Sequence, residues 1–91
     1  FMLIELLESC AVELGLSAEL AKELAVQTAY GACKLARNAS ESPGELRENV
    51  TSPNGTTEAA LRVFAAEEID RIVKSAVTAA RDRSIELAKG N

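Results

Sequence analysis

Apolar residues recur every three or four positions along most of the chain, which is the spacing of amphipathic helices. In the first segment this row consists of four side chains, Leu3, Leu7, Cys10 and Leu14. Gly15 follows as a predicted C-terminal cap, because glycine adopts a positive φ without steric cost. Ser17 is placed to cap a second helix that extends to about Asn38. The pattern thus predicts two consecutive helices.

A capping box marks the start of a short third helix. Ser42 is placed to cap it, Pro43 suits the first helical position, and Glu45 lies three residues after the cap. Ser52 and Pro53 are predicted to stop this helix within about two turns, since the residue before a proline avoids helical backbone.

The remainder of the chain predicts two more helices. A fourth begins at Thr56 or Thr57, after a Pro-Asn-Gly turn, and a long fifth helix runs from Ile69 to near Gly90. No part of the sequence shows the alternation typical of strands. The fold class predicted is all-α, a bundle of about five helices.

The apolar rows on the first, second and fifth helices are broader than an isolated small bundle needs. Gly31 lies inside the second helix, where glycine costs about 1 kcal/mol relative to alanine, so a close helix–helix approach is a reason for it. Either all of this surface is internal core or part of it faces another subunit. We expect the second, a chain that interlocks with a copy of itself as a homodimer or a higher oligomer.

Composition narrows the function classes. The 91 residues are enough for one small domain. A net charge of −4 with scattered Lys and Arg argues against nucleic acid, and no apolar run is long enough to span a membrane. Cys10 and Cys33, with no histidine in the chain, predict no metal site. We expect both cysteines to be small buried apolar groups in a cytoplasmic protein.

The segment 51–57 carries the candidate chemistry. A Pro-Asn-Gly turn that enters a helix leaves several backbone N–H groups without internal partners, and the helix dipole adds partial positive charge there. Such a place suits a carboxylate or a phosphate. Asn54 is the non-glycine residue that best tolerates a positive φ, and Gly55 lets a ligand approach the backbone.

The segment NVTSPNGTTEAALRVF, which starts at Asn49, resembles the signature of the pyrroline-5-carboxylate reductases, the last enzymes of proline synthesis. In that family the signature typically reads VTSPGGTT and enters a helix. The similarity extends back through LGLSAELAKELAVQTAYGACKL and forward through AARDRSIEL, so it covers essentially all 91 residues. The chain resembles the C-terminal dimerisation and substrate-binding domain, over residues 1–91.

The resemblance implies a reaction and a set of site residues. Hydride from NAD(P)H reduces 1-pyrroline-5-carboxylate to L-proline in the full-length enzyme. The backbone amides of Gly55, Thr56 and Thr57 would hold the substrate carboxylate, and Val50 and Ser52 would line the pocket. The Thr57 hydroxyl would lie beside the ring nitrogen, as the one catalytic group in this chain.

The family also has an N-terminal Rossmann domain that binds the dinucleotide, and no Gly-rich fingerprint follows a strand in this sequence. We therefore expect a piece of a longer enzyme that binds no cofactor and is inactive alone. Two positions depart from the family's pattern. Asn54 replaces a glycine, and Glu67-Glu68 replaces a Gly-Gly or Gly-Asp break, so we expect that break to move to Ala65-Ala66 or to become a kink.

Two other interpretations remain open. In one, the chain is a free-standing helical dimerisation module without a ligand. In the other, it is part of a related imine or keto-acid reductase. The Thr57 hydroxyl beside the ring nitrogen favours the imine substrate.

Overall fold

The computed structural model describes residues 1–90, and all regular secondary structure within them is helical. The five helices are α1 (Met2–Glu13), α2 (Ala18–Asn38), α3 (Pro43–Asn49), α4 (Thr56–Ala66) and α5 (Ile69–Ala88). The predicted all-α fold class and the number of helices are therefore confirmed. No helix among residues 1–90 is both long enough and apolar enough to cross a membrane.

Two compact units divide the chain, Phe1–Glu48 and Asn49–Asn91. In the first unit, α1 packs against α2. The turn between them follows the predicted chemistry, because Gly15 has a φ of +110° and the Ser17 hydroxyl accepts the Leu20 N–H at 3.2 Å. Both caps satisfy helix-end groups that otherwise lack partners.

The capping box that begins α3 is also confirmed. The Glu45 N–H donates to the Ser42 hydroxyl at 3.2 Å, and the Glu45 carboxylate accepts the Ser42 N–H at 3.4 Å. Two donors at this helix start are thus satisfied by two neighbouring side chains. The helix ends at Asn49, ahead of the proline, as predicted.

The second unit contains α4 and α5, which make little contact with each other. The prediction for their junction was wrong, because the break neither moves to Ala65-Ala66 nor becomes a kink. It stays at Glu67 and Glu68, and Glu68 adopts the left-handed conformation with a φ of 55°. The N–H groups of both glutamates close the end of α4, donating to the carbonyl groups of Val63 and Ala65. Many helices end with a left-handed residue, and here a glutamate takes the place usually filled by glycine.

Very little of the apolar surface is covered within the chain. Only Ala21 and Ala25, at 0% and 5% exposure, are buried among the described residues. Large apolar side chains are exposed on α1, α2, α4 and α5 alike. The expectation that Cys10 and Cys33 are buried was wrong for this chain, since both cysteines are exposed. A Cβ added at Gly31 meets nothing within 4 Å, so nothing in the chain explains that glycine by packing.

Candidate functional site

A tight turn formed by Ser52, Pro53, Asn54 and Gly55 shapes the candidate site. The Gly55 N–H donates to the Ser52 carbonyl oxygen at 3.0 Å, which closes a four-residue β-turn. Proline stands at its second position, and Asn54, with a φ of 60°, at its third. This is the combination of a type II turn, whose third residue must adopt a positive φ. Asn54, which stands where the family's pattern has a glycine, thus adopts the positive φ that this turn needs.

Gly55 is required here for space and not for backbone conformation. Its φ of −88° is accessible to every residue. A Cβ added at this position would lie 3.1 Å from the Ser52 carbonyl oxygen and 3.3 Å from the Ser52 Cβ. Both distances are shorter than the 3.5–4.0 Å at which non-bonded atoms attract. The loop therefore closes tightly because position 55 has no side chain.

Helix α4 begins directly after this turn, with Gly55 as its N-cap residue and no capping side chain. Among residues 1–90, no group accepts the N–H of Thr56, Thr57 or Glu58. The first intrahelical bond belongs to Ala59, which donates to the Gly55 carbonyl at 3.1 Å. Three adjacent donors at the positive end of a helix dipole are what an anion would meet.

Not every predicted donor is available. The Gly55 N–H is engaged by Ser52 within the turn, so the free amides begin at Thr56. The Thr57 side chain is half-buried, and its hydroxyl has no hydrogen-bond partner in the described part of the chain. Val50, at 62% exposure, and Ser52 precede the proline of the turn, and both are open to solvent. All five residues predicted for the site belong to the second unit.

The sequence reading did not single out Glu58, which the structure ties to this turn. Its Oε1 accepts the Asn54 N–H at 3.3 Å and the Arg62 Nη2 at 2.6 Å. Both partners lie four residues away along the chain, in opposite directions. The spacing of Glu58 and Arg62 is a recognised helix pairing, and it was the available signal.

The described residues contain no cluster of metal ligands, and three concave patches on the surface lie away from this turn. No group of three or more potential metal ligands occurs among residues 1–90. The concave patches found on the surface each lie along a single helix, α1 or α2, and include no residue of the segment 51–57.

A protein-family match and the similar proteins of known function all point to the same family. A family described as pyrroline-5-carboxylate reductase dimerisation matches residues 1–87. A pyrroline-5-carboxylate reductase from Pseudomonas aeruginosa is 46% identical over 89 residues, which are 98% of this chain and 33% of that protein. One from Arabidopsis thaliana is 39% identical, again over 98% of this chain and 32% of the relative.

Solved structures of two pyrroline carboxylate reductases contain a region that is similar in fold to this chain. A pyrroline-5-carboxylate reductase from Coxiella burnetii has a TM-score of 0.90 and 40% identity, covering 96% of this chain and 32% of that one. The Plasmodium falciparum pyrroline carboxylate reductase, crystallised with NADP bound, has a TM-score of 0.87 and 32% identity over 91% of this chain and 32% of that one. The chain spans about a third of the length of these relatives. With a match over 87 residues, the chain belongs to the pyrroline-5-carboxylate reductase dimerisation family.

Proposed function

We propose that this chain is the dimerisation and substrate-binding part of an NAD(P)H-dependent pyrroline-5-carboxylate reductase of the cytoplasm. The observation that carries the proposal is the start of α4, where unpartnered N–H groups stand beside an unpartnered threonine hydroxyl. Relatives named as this reductase match nearly all of the chain, which supports the same activity for the protein that contains it.

The substrate fits this arrangement by its charge and its ring. The carboxylate of 1-pyrroline-5-carboxylate would accept hydrogen bonds from the N–H groups of Thr56 and Thr57, where the helix dipole also favours an anion. The Thr57 hydroxyl would lie at the ring nitrogen and orient the imine, supporting its protonated and more electrophilic form. Gly55 would act through the tight turn that aims these amides, and Val50 and Ser52 would line the open side. Catalysis from this chain would then consist of positioning.

The hydride would come from NAD(P)H in the whole enzyme, and we assign no residue of this chain to that cofactor. Residues 1–90 contain neither a strand nor a Gly-rich strand-to-helix turn that could hold a dinucleotide. The NADP bound to the Plasmodium falciparum relative supports a nucleotide site elsewhere in the protein. A pure preparation of residues 1–91 is accordingly expected to show no NADPH oxidation with the substrate.

A homodimer is the second part of the proposal. Exposed large apolar side chains on four of the five helices support it, because contiguous exposed apolar patches mark interaction surfaces. The open space at Gly31 supports a close approach of another helix. Sedimentation velocity of the chain over a range of concentrations tests this, and a monomer at every concentration would contradict it.

Thr57→Ala in the full-length protein tests the substrate site. We expect kcat/KM for 1-pyrroline-5-carboxylate to fall about 10- to 100-fold, the loss of one hydrogen bond of roughly 1.5–3 kcal/mol to a charged group. Thr57→Ser, which keeps the hydroxyl, should recover most of it. The oligomeric state should be unchanged in both variants, and a dissociated Thr57→Ala protein would mean that Thr57 is structural.

A titration separates this proposal from a dimerisation module without a ligand. Proline is added to residues 1–91 while the backbone amide resonances of Thr56 and Thr57 are followed by NMR. We expect shifts confined to the start of α4 at millimolar proline. No turnover by the full-length protein and no shift in the chain would together favour the ligand-free module.

A further inference from the structure

Glu58 holds together the turn that precedes α4. It is the third residue of that helix, from which a glutamate commonly reaches back to the N–H of the N-cap residue. Here it reaches one residue further, so that its Oε1 accepts the Asn54 N–H at 3.3 Å. A side chain of α4 thus accepts the N–H of Asn54, the left-handed residue of the turn that precedes this helix.

Arg62 fixes the position of that carboxylate. Its Nη2 lies 2.6 Å from the same Oε1, one helical turn further on. The Glu58 side chain is 28% exposed, against 72% for Arg62, so the acidic partner is the sheltered one. An exposed pair at this spacing contributes little to stability by itself. The effect of this pair is local, because it holds the Glu58 Oε1 that accepts the Asn54 N–H.

Charge gives the pair a second consequence. A carboxylate within the first turn of α4 would repel an anionic ligand at the N–H groups of Thr56 and Thr57, and it could also occupy those groups itself. In the described residues the Glu58 carboxylate is engaged by Asn54 and Arg62 instead, and neither threonine donates a hydrogen bond to it. The guanidinium also offsets its negative charge.

We propose that Glu58, held by Arg62, is a positioning residue that keeps Asn54 left-handed and thereby aims the amides of Thr56 and Thr57 at the substrate carboxylate. This inference rests on the proposed function. Glu58 touches neither substrate nor cofactor in this account, and it acts through the turn. Asparagine reaches a positive φ less readily than glycine, which is why the turn depends on an added hydrogen bond.

Steady-state kinetics of the full-length protein with 1-pyrroline-5-carboxylate and NADPH test the proposal. Glu58→Ala should raise KM for the substrate about three- to tenfold, as expected for one charge-assisted hydrogen bond at a partly exposed site. The KM for NADPH should not change. Glu58→Gln keeps an acceptor oxygen for the Asn54 N–H, so it should retain most of the affinity.

A double variant separates positioning from general structural support. Asn54→Gly restores a residue that adopts a positive φ freely, so Asn54→Gly combined with Glu58→Ala should recover part of the lost affinity. Glu86→Ala is the matched control, because Glu86 forms a comparable helical ion pair with Arg83 at 2.8 Å on α5. It should leave every kinetic constant unchanged.

The outcomes distinguish the two proposals. If the parent protein does not reduce 1-pyrroline-5-carboxylate, the proposed function fails and this inference fails with it. If the parent is active and Glu58→Ala has the parent's KM, the inference alone is overturned. An equal loss in Glu58→Ala and in its Asn54→Gly double variant would also overturn it, because the turn conformation would not then be what Glu58 controls.

Discussion

Gly55→Ala is a direct test of the idea that the turn, and not any one side chain, sets the candidate site. The added Cβ would lie 3.1 Å from the Ser52 carbonyl oxygen and 3.3 Å from the Ser52 Cβ. Ser52 cannot move aside freely. Its carbonyl oxygen accepts the Gly55 N–H, and Pro53 restricts its backbone. The contact must therefore be relieved by a shift of the turn by a few tenths of an ångström.

The size of the effect follows from how the turn relieves the contact. Added methyl groups in tightly packed places cost about 1–3 kcal/mol, and a surface turn that can shift should lie near the lower end. If the turn opens instead, it loses the bond between the Gly55 N–H and the Ser52 carbonyl, worth about 1 kcal/mol. Either route displaces the amides of Thr56 and Thr57, for which a loss of about 10- to 100-fold in kcat/KM is expected.

The assay is steady-state reduction of 1-pyrroline-5-carboxylate by the full-length variant, with denaturant unfolding at matched protein concentration. Gly44→Ala is the control, because a Cβ there meets only the Ser42 Oγ, at 3.9 Å. That variant should keep full activity and unchanged or slightly higher stability, since alanine is favoured over glycine in a helix by up to about 1 kcal/mol. Unchanged kcat/KM in Gly55→Ala would refute the reasoning, as would an equal loss in Gly44→Ala.

Two further predictions concern stability, and both are measured by denaturant unfolding at fixed protein concentration. Glu68→Gly should raise the free energy of unfolding by about 1 kcal/mol, because the left-handed conformation is strained for glutamate and free for glycine; lower stability would show that the 3.4 Å pair with Arg71 outweighs the strain. Ser17→Ala should lower it by about 1 kcal/mol, because the Leu20 N–H loses its acceptor; Ser17→Asp should not, and equal losses would contradict capping.

The features that the sequence predicted well are those decided within four residues. The Gly15 cap, the bond from Leu20 to Ser17 and the Ser42–Glu45 box all depend on a residue type and a fixed spacing, so local pattern was sufficient. The turn at Asn54 belongs with them, because proline followed by asparagine restricts the backbone before any tertiary contact forms. The start of α4 at Thr56 follows from the same turn.

The features that the sequence did not predict are ones that residue type and spacing alone do not decide. Nothing in the glutamate side chain favours a left-handed Glu68, yet the break between α4 and α5 stays there and helix termination imposes that conformation. The burial of Cys10 was inferred from residue type, which describes an average protein and not a chain whose apolar faces lack cover. Glu58 was missed because a glutamate at the third helical position can reach back to the turn or pair with the next turn of its helix, and spacing alone does not decide between them.

The sparse burial among residues 1–90 links assembly to the candidate site. Ordering one residue costs about 1–2 kcal/mol of backbone entropy, and two buried alanines cannot offset that over ninety residues. Of the four helices with exposed large apolar side chains, the two shorter, α1 with 12 residues and α4 with 11, are also marginal in water as isolated helices. Their stability must therefore come from a surface that covers the exposed apolar side chains of α1, α2, α4 and α5. Helix α4 carries the free N–H groups of Thr56 and Thr57. The surface that covers and stabilises this helix therefore also holds these two N–H groups in position. Loss of that cover is therefore expected to weaken ligand binding at the candidate site without any change to the residues that form it.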